Sequence, residues 1–455
     1  MNLVSINPSN GTEIKAYPKH TSAEVAYILD QALQAQKSWC NTDLDLRITC
    51  LVQTAGTLRD RAKEYATLMA MEMGKPVSQG LGEVEKCAWL CEYYAEKAKP
   101  FLEDREVDIA GQKSLISIQP IGLILGIMPW NFPFWQVFRF AAPALMAGNA
   151  GILKHASNVQ VCAQAIEDIF TAADFPDNIF KNLVIGSDKV ENVIKNPLVK
   201  AVTLTGSTPA GKAVASLAGS LLKKTVLELG GSDPYVILED ADLDQAVNAC
   251  ITGRMLNTGQ SCIAAKRFIV VEPCRPEFTD KVAKKIKNMN MGDPLDLTID
   301  IGPMVNISAR DELHQQVIAS LDKGAVLVTG GIIPEPPGSF YPPTLLVDVT
   351  PGMPAFDDEL FGPVAVIITA KDEQQALELA NQTKFGLGAA VFTADVKKGK
   401  KIAVEVLEAG SCFVNDFVKS DPRLPFGGIK ESGYGRELSE FGIHEFVNIK
   451  SVVVQ

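Results

Sequence analysis

The chain has 455 residues, of which 47% are hydrophobic and 21% are charged, and its formal net charge is −11. This length exceeds what one ordinary hydrophobic core needs, so we expect two or three domains. The negative charge would repel a phosphate polyanion on average, which argues against nucleic acid as a partner but leaves room for a local basic pocket for a nucleotide.

The amino-terminal segment lacks the basic start and apolar run of a secretory signal. One long stretch, 114–153, carries a single charge, Arg139, but prolines and glycines interrupt it. A membrane-spanning helix needs about 20 unbroken apolar residues. We therefore interpret this stretch as buried core and loop, and we expect a cytoplasmic protein without a membrane partner.

The nine cysteines are odd in number and irregularly spaced, no CxxC motif is present, and the chain has four histidines. This pattern argues against both a disulfide framework and a bound metal.

Apolar residues recur every three or four positions in 21–100, which predicts helices. Residues 104–122 then predict two short strands around a glycine turn. Apolar strands and helices alternate after that, a rhythm typical of a parallel, doubly wound sheet, and a second such run supports a second domain. The apolar tail, 443–455, predicts a strand that pairs with another strand of this chain or of another subunit.

Three residues are candidates for catalysis. Cys262 lies in a glycine-containing polar loop before a strand, where a thiol can be exposed and backbone N–H groups can favour the thiolate; the alternative is a small buried residue. Glu228 ends an apolar strand, where burial would raise its pKa and suit it to act as a base; the alternative is a carboxylate bonded to a neighbouring turn. The Asn131 amide in PWNFP can donate to a developing oxyanion, or it can satisfy backbone groups of a rigid turn.

Two further features could contact a nucleotide. The turn from Gly206 to Gly211 follows an apolar strand and opens a helix, an arrangement that can bind an anion, although an ordinary turn looks the same. Lys154 ends another strand, where it would face the crevice of a doubly wound sheet or be solvated.

Taken together, six motifs resemble the aldehyde dehydrogenase superfamily in order and spacing, nearly from end to end. They are PWNFP at 129–133, GSTPAG at 206–211, ELGG at 228–231, GQSC at 259–262, ELFGP at 359–363 and PFGG at 425–428. Within the family, KHAS, ELGGSDP, AAKRFIV and SGYGREL are most similar to short bacterial-type succinate-semialdehyde dehydrogenases.

The resemblance implies a covalent mechanism. Cys262 attacks the aldehyde carbonyl, and the Asn131 amide and the Cys262 backbone N–H hold the oxyanion of the thiohemiacetal. Hydride passes to a nicotinamide and leaves a thioester, and Glu228 activates the water that hydrolyses it.

The resemblance also implies the cofactor site. Glu359 would hold the nicotinamide ribose with Phe361 nearby, and Ser207 would approach the pyrophosphate. Lys154 and Ser157 would face the adenosine ribose. The remaining contacts would come from Trp130, Gly206, Gly211 and Leu229. NAD-preferring relatives often have Glu at the position of Ser157, where it would repel a 2′-phosphate, so we expect NADP to be preferred and NAD to be usable.

Arg139 is the leading candidate to bind the distal carboxylate of a semialdehyde, because an unpaired Arg in an apolar stretch is costly; the alternative is a structural pair with an Asp or Glu. Ser420 is a second candidate, and Ser261 and Phe426 complete the implied substrate site. Two positions depart from some relatives: Leu256 replaces a second Arg, with Arg254 nearby but out of register, and Ala264 replaces a second Cys, which excludes a vicinal disulfide.

The resemblance implies an α/β fold of the aldehyde dehydrogenase type. A Rossmann-type dinucleotide-binding domain would comprise 1–101 and 121–228, a catalytic α/β domain 229–431, and a small β oligomerisation flap 102–120 and 443–455. The active site would lie between the two large domains. The terminal strand would otherwise be an unpaired edge, so we expect a homodimer or homotetramer.

Three alternatives remain open from the sequence. One is a dehydrogenase for another semialdehyde or for a neutral aldehyde, and a second is a coenzyme A-acylating dehydrogenase, against which Glu228 argues. The third is a cysteine hydrolase or an inactive scaffold; a hydrolase would need a His partner in a recognisable motif, and a scaffold should have lost Cys262 or Glu228.

Overall fold

The structure, a computed structural model, describes residues 2–109 and 112–454. Its strands, in chain order, are β1 (Asn2–Ile6), β2 (Glu13–Pro18), β3 (Arg105–Ile109), β4 (Gln112–Pro120), β5 (Leu123–Met128), β6 (Ala150–His155), β7 (Phe180–Asn182), β8 (Val199–Thr205), β9 (Lys224–Glu228), β10 (Asp233–Ile237), β11 (Ala265–Val271), β12 (Val326–Thr329), β13 (Thr344–Val347), β14 (Val364–Ala370), β15 (Gly388–Phe392), β16 (Ser411–Val414), β17 (Gly433–Tyr434) and β18 (Val447–Val453).

The α-helices are α1 (Ser22–Trp39), α2 (Leu44–Asp60), α3 (Ala62–Met73), α4 (Val77–Leu102), α5 (Trp135–Met146), α6 (Gln160–Ala172), α7 (Val190–Lys195), α8 (Thr208–Ser220), α9 (Leu243–Met255), α10 (Arg275–Lys287), α11 (Ile307–Asp322), α12 (Pro354–Asp357), α13 (Glu373–Asn381), α14 (Val396–Glu405) and α15 (Ser439–His444). The helices predicted for residues 21–100 are therefore confirmed.

The first large sheet has the strand order β17-β9-β8-β5-β6-β7. Its strands run parallel except for β17, which is antiparallel to β9. Every residue of β6 is buried, as expected for a strand with both neighbours paired and helices over the sheet. The predicted doubly wound parallel sheet is confirmed.

The second large sheet has the order β12-β13-β14-β11-β10-β15-β16. Its strands are again parallel apart from the antiparallel pair β12 and β13. Strand β11 is buried along its whole length, and Cys262 lies just before it. The predicted loop-then-strand setting of Cys262 is therefore confirmed.

A small sheet of order β18-β4-β3 stands apart from both. The two strands predicted for 104–122 are present, while the glycine turn predicted between them falls at Ala110 and Gly111, outside the described residues. The tail strand β18 pairs antiparallel with β4 of the same chain. The division into three domains and the boundaries between them stay predictions.

The long apolar stretch that starts at residue 114 is divided among β4, β5, α5 and β6, in agreement with its interpretation as core and loop. In the described part of the chain, no helix has the length and apolar character needed to span a membrane. Nor do residues 2–109 and 112–454 contain a group of three or more His, Cys, Asp or Glu positioned to hold a metal ion.

Candidate active site

Two cavities meet at Cys262. The first has a volume of about 250 Å³, and all four predicted substrate residues line it together with Cys262: Arg139, Ser261, Ser420 and Phe426. The second has a volume of about 220 Å³ and is lined by Cys262, Asn131 and most of the predicted cofactor set: Trp130, Gly206, Ser207, Leu229, Glu359 and Phe361. Cys262 therefore borders both the cavity that holds the predicted substrate residues and the cavity that holds most of the predicted cofactor residues.

An unusual backbone turn presents Cys262. Asn257, Thr258 and Gly259 all have φ between 56° and 69°, the left-handed region that side chains other than glycine disfavour. Gly259 could not carry a side chain, since a Cβ there would lie 2.3 Å from the Gly362 carbonyl oxygen. The turn therefore packs directly against the loop that carries Glu359.

The buried Arg254 ties these two loops together. Its guanidinium donates to the carbonyl of Val364 at 2.6 Å and to that of Leu360 at 2.8 Å, and it also contacts the carbonyls of Gly259 and Gly362. Burial lowers its pKa to about 9. Arg254 thus holds the backbone of both loops, and its guanidinium is not directed at the substrate cavity.

Lys266, on β11, makes a second link between the loop that carries Cys262 and the loop that carries Glu359. Its ammonium donates to the carbonyls of Ser261 at 2.9 Å and Cys262 at 2.7 Å, and it lies 3.2 Å from Oε1 of Glu359. The same Glu359 oxygen accepts from the backbone N–H of Gly231 at 3.1 Å. The carboxylate predicted to hold a ribose is therefore fixed beside the nucleophile.

The hydrogen bonds of Asn131 occupy only part of its amide, and its oxyanion role stays a prediction. Its Oδ1 accepts from Nε2 of Gln136 at 3.0 Å, and its Nδ2 donates to the Gln260 carbonyl at 3.1 Å. Its other amide hydrogen has no acceptor within the described residues, and the same holds for the backbone N–H of Cys262. Two donors are thus available beside the thiol. The alternative was that the Asn131 amide only satisfies backbone groups. This holds for one of its two Nδ2 hydrogens, the one donated to the Gln260 carbonyl.

The helix that follows Asn131 is held by a buried carboxylate. Oε1 of Glu83, on α4, accepts from the backbone N–H groups of Phe134 and Trp135, each at 2.9 Å, at the start of α5. Oε2 of Glu83 pairs with Lys75, whose ammonium lies 3.9 Å from the centre of the Phe132 ring. A carboxylate at a helix N-terminus complements the helix dipole, so Glu83 fixes the segment that presents Asn131.

The Cys262 thiol is partly buried, less exposed than its loop suggested. Burial raises its pKa to about 12, while Arg139 and Lys266 act in the opposite direction. The backbone N–H groups therefore do not make it a thiolate at neutral pH in this structure. A base must take its proton during attack, or a bound cationic group must lower its pKa.

Glu228, at the end of β9, is fully buried, and within the described residues neither carboxylate oxygen has a hydrogen-bond partner. Burial raises its pKa well above the usual range, and the negative charge of Glu437 raises it further. The predicted rise is confirmed, and the alternative, a carboxylate bonded to a neighbouring turn, is wrong. The raised pKa favours the protonated carboxyl, so Glu228 can act as a base only after it has lost this proton.

Arg139 has the partner that the alternative interpretation required. Its Nε lies 2.6 Å from Oε2 of Glu437, and both side chains are 3% exposed. The guanidinium also lies over the Phe426 ring at 4.8 Å, and one nitrogen donates to Thr205 at 3.4 Å. The charge of Arg139 is therefore already balanced, and its contact with a substrate carboxylate stays a prediction.

On the cofactor side, Trp130 and Phe361 make an edge-to-face contact at 5.7 Å across the second cavity. Strand β8, the turn at Gly206 and the start of α8 form the predicted strand–turn–helix, with Ser207 at the N-cap. A Cβ on Gly211 would lie 2.5 Å from the Leu229 side chain, so a larger residue there would have to displace that side chain.

Lys154 and Ser157 line neither cavity. Lys154 lies at the end of β6 and is 9% exposed, and Ser157 is exposed just beyond it. Burial alone lowers the pKa of Lys154, and the described residues provide no ion-pair partner for it. The alternative of a solvated strand-end Lys is therefore wrong, and an anion would satisfy this ammonium.

Sequence reasoning missed Lys266, Glu437 and Glu83. It also missed Lys86, which lines the first cavity, and it noted Arg254 without a role. Lys266 and Glu437 lie inside the quoted segments AAKRFIV and SGYGREL, so a search for charges in apolar settings could have found them. Glu83 and Lys86 lie in an ordinary amphipathic helix, where no local signal distinguishes them from surface charges.

The comparisons with known proteins agree with this geometry. Residues 2–452 match the model of the aldehyde dehydrogenase family. A probable NADP⁺ succinate-semialdehyde dehydrogenase of Synechocystis is 47% identical over 99% of each chain, and the Escherichia coli NAD(P)⁺ succinate semialdehyde dehydrogenase Sad is 46% identical over 99% of this chain and 97% of its own. The solved structure of a succinic semialdehyde dehydrogenase from Streptococcus pyogenes, in complex with NADP⁺, superposes with a TM-score of 0.97 at 38% identity, covering 99% of each chain.

Proposed function

The chain belongs to the aldehyde dehydrogenase family, NAD(P)-dependent enzymes that oxidise aldehydes, and on this premise we propose that it converts succinic semialdehyde to succinate with NADP⁺ preferred. The observation that carries the proposal is the meeting of two cavities at Cys262, one with cationic side chains and the other with the predicted nicotinamide contacts. The relatives named for succinic semialdehyde match over nearly the full chain, which supports the substrate.

The residues present fit the cofactor. The buried ammonium of Lys154, which has no ion-pair partner among the described residues, lies at the carboxyl end of β6. Strand β8, on the other side of β5, leads into a helix N-terminus at Ser207. Both features suit phosphate groups, while Trp130, Phe361 and Glu359 suit the nicotinamide ribose end. The bound nicotinamide supplies the hydride acceptor, chemistry that no side chain offers.

The chain's own residues carry the other steps. Cys262 transfers its thiol proton to solvent water, and Sγ bonds to the aldehyde carbon. The developing oxyanion accepts from the free Asn131 N–H and the Cys262 backbone N–H. Once the aldehyde hydrogen has left as hydride, Cys262 carries a thioester. Glu228 takes a proton from water, the water oxygen bonds to the thioester carbon, and the C–S bond breaks to release the acid.

The preference for NADP⁺ rests on Ser157 and Lys154. Ser157 is exposed and uncharged beside the buried ammonium, so a 2′-phosphate would meet a cation and no carboxylate. Relatives named for NADP⁺ and one named for both cofactors are consistent with this arrangement. NAD⁺ would lack only the phosphate contact, so it should still bind.

We further propose a homodimer or homotetramer in the cytoplasm. Strand β18 lies at the edge of its small sheet and exposes Ile449 and Val453, an apolar edge that a second subunit would cover. All nine cysteines are free, which fits a reducing compartment. Size-exclusion chromatography with light scattering tests the assembly, and a monomer at micromolar concentration would overturn it.

The decisive test of the substrate is a steady-state panel. Succinic semialdehyde, glutaric semialdehyde and butanal are each assayed with NADP⁺ and with NAD⁺, without coenzyme A, and Cys262→Ala serves as the blank. We expect the highest kcat/KM with succinic semialdehyde and NADP⁺. A higher value with butanal, or a requirement for coenzyme A, would contradict the proposal.

A further inference from the structure

Lys86 is a cation in the substrate cavity that the mechanism does not use. It lies on α4, lines the same cavity as Cys262, and its ammonium donates to Oγ of Ser420 at 2.8 Å. The ammonium also lies over the Trp135 ring, 4.5 Å from its centre. Both contacts turn the charge towards the cavity interior.

The carboxylates near Lys86 are engaged by other cations. Glu83, one turn earlier on α4, pairs with Lys75 and accepts from the start of α5. Asp421 pairs with Arg423 at 2.7 Å. No ion pair of Lys86 occurs within residues 2–109 and 112–454, so its charge lacks a counterion.

The other cations that line this cavity are ion-paired: Lys75 pairs with Glu83, and Lys419 pairs with Asp416 at 2.6 Å. Arg139 is paired at 2.6 Å with Glu437, which balances its charge. Burial, and secondly the charge of Arg139, lowers the pKa of Lys86 to about 8, as expected for an ammonium that is desolvated without an anion. An anion that entered this cavity would therefore gain most from Lys86.

We propose that Lys86, with Ser420, binds the distal carboxylate of the aldehyde substrate and selects acidic aldehydes over neutral ones. The inference rests on the proposed function. It assigns to Lys86, on α4, the main electrostatic preference for substrates that carry a carboxylate. The apolar walls at Leu256, Phe417 and Trp135 suit the methylene groups between the carboxylate and the aldehyde. A substrate carboxylate could accept hydrogen bonds from the Lys86 ammonium and the Ser420 hydroxyl. Such charge-assisted hydrogen bonds are stronger than those between neutral groups.

The test compares kcat/KM for succinic semialdehyde with kcat/KM for butanal, and the measured quantity is their ratio. Lys86→Met removes the charge, Lys86→Gln keeps a donor for Ser420 without the charge, and Lys86→Arg keeps the charge. The matched control is Lys97→Met, which removes an exposed, Glu96-paired lysine from the same helix. We expect the ratio to fall at least about tenfold in Lys86→Met and Lys86→Gln, and to recover substantially in Lys86→Arg.

The outcomes separate this inference from the proposed function. If wild type prefers succinic semialdehyde, and both Lys86→Met and Lys86→Gln keep that preference within twofold, the role of Lys86 is wrong while the function stands. If wild type itself shows no preference over butanal, the proposed function fails, and the assignment of Lys86 fails with it. An equal fall in Lys97→Met would also overturn the assignment, since the effect would then be one of overall charge.

Discussion

Nε of Arg139 and Oε2 of Glu437 lie 2.6 Å apart in a buried ion pair beside the carboxyl of Glu228. The pair joins helix α5 to the segment that follows the PFGG motif. It places one positive and one negative charge next to a carboxyl whose oxygens have no hydrogen bonds in the described residues. Burial, this pair and the positive charge of Arg436 therefore control the protonation of Glu228.

Glu437→Gln should shift the pH dependence of thioester hydrolysis. Glu228 acts as a base only when ionised, and its raised pKa means that hydrolysis accelerates as pH rises through that pKa. Removal of the Glu437 charge makes ionisation easier, so the rising limb of kcat should move to lower pH. The pH profile of single-turnover hydrolysis measures this, with the exposed Glu440→Gln as control. If the rising limb of the pH profile stayed in place or moved to higher pH, the charge of Glu437 would not be what raises the pKa of Glu228.

Asn131→Ala should lower kcat by about 10²–10³ with a smaller effect on KM, because one oxyanion donor is lost. Gln136→Leu should lower kcat less, since Gln136 only orients the amide through its 3.0 Å hydrogen bond. Steady-state kinetics with saturating cofactor measures both. If Gln136→Leu were as damaging as Asn131→Ala, the loss would come from distortion of the segment and not from a missing donor.

Arg254→Lys should destabilise the protein by roughly 3 kcal/mol, because a lysine cannot reach the carbonyls on two loops at once. The loss should also weaken cofactor binding, since Leu360 lies next to Glu359. Urea unfolding gives the free energy of unfolding, and Arg275→Lys, at a more exposed ion pair, is the control. If the two variants had the same free energy of unfolding, the buried Arg254 guanidinium would not be what stabilises the two loops.

Ser157→Glu should reverse the cofactor preference. A carboxylate there would repel the 2′-phosphate and could accept from a 2′-hydroxyl, so kcat/KM with NADP⁺ should fall relative to that with NAD⁺ by about tenfold or more. Asn158→Asp, one residue further along, controls for added charge. If Ser157→Glu left the ratio of kcat/KM with NADP⁺ to kcat/KM with NAD⁺ unchanged, the assignment of Ser157 to the 2′-phosphate site would be wrong.

The fold could be predicted, and the candidate catalytic residues could be named, because both depend on local signals. Alternating apolar segments predicted the parallel sheets, and Cys262, Glu228 and Asn131 lie in motifs whose order identifies a family. The charge partners could not be predicted this way. Glu437 meets Arg139 only because β17 returns to the first sheet after the second sheet is complete, and no local pattern encodes that return.

Lys86 illustrates the same limit. In the sequence it is one lysine among the charges of α4, with glutamates on either side that suggest solvent-exposed pairs. Only the packing of α4 against α5 turns it towards Trp135 and Ser420. The positive charge in the substrate cavity thus depends on how the helices pack, whereas the candidate nucleophile could be found from its loop alone.

The most direct measurement of the central claim is the intact mass of Glu228→Gln after incubation with succinic semialdehyde and NADP⁺, followed by peptide mapping. Without the base, the thioester should accumulate, so we expect one succinyl group per chain, located on Cys262, and a burst of NADPH equal to the enzyme concentration. No added mass, a succinyl group on another residue, or the same adduct in a protein that also carries Cys262→Ala would contradict the claim.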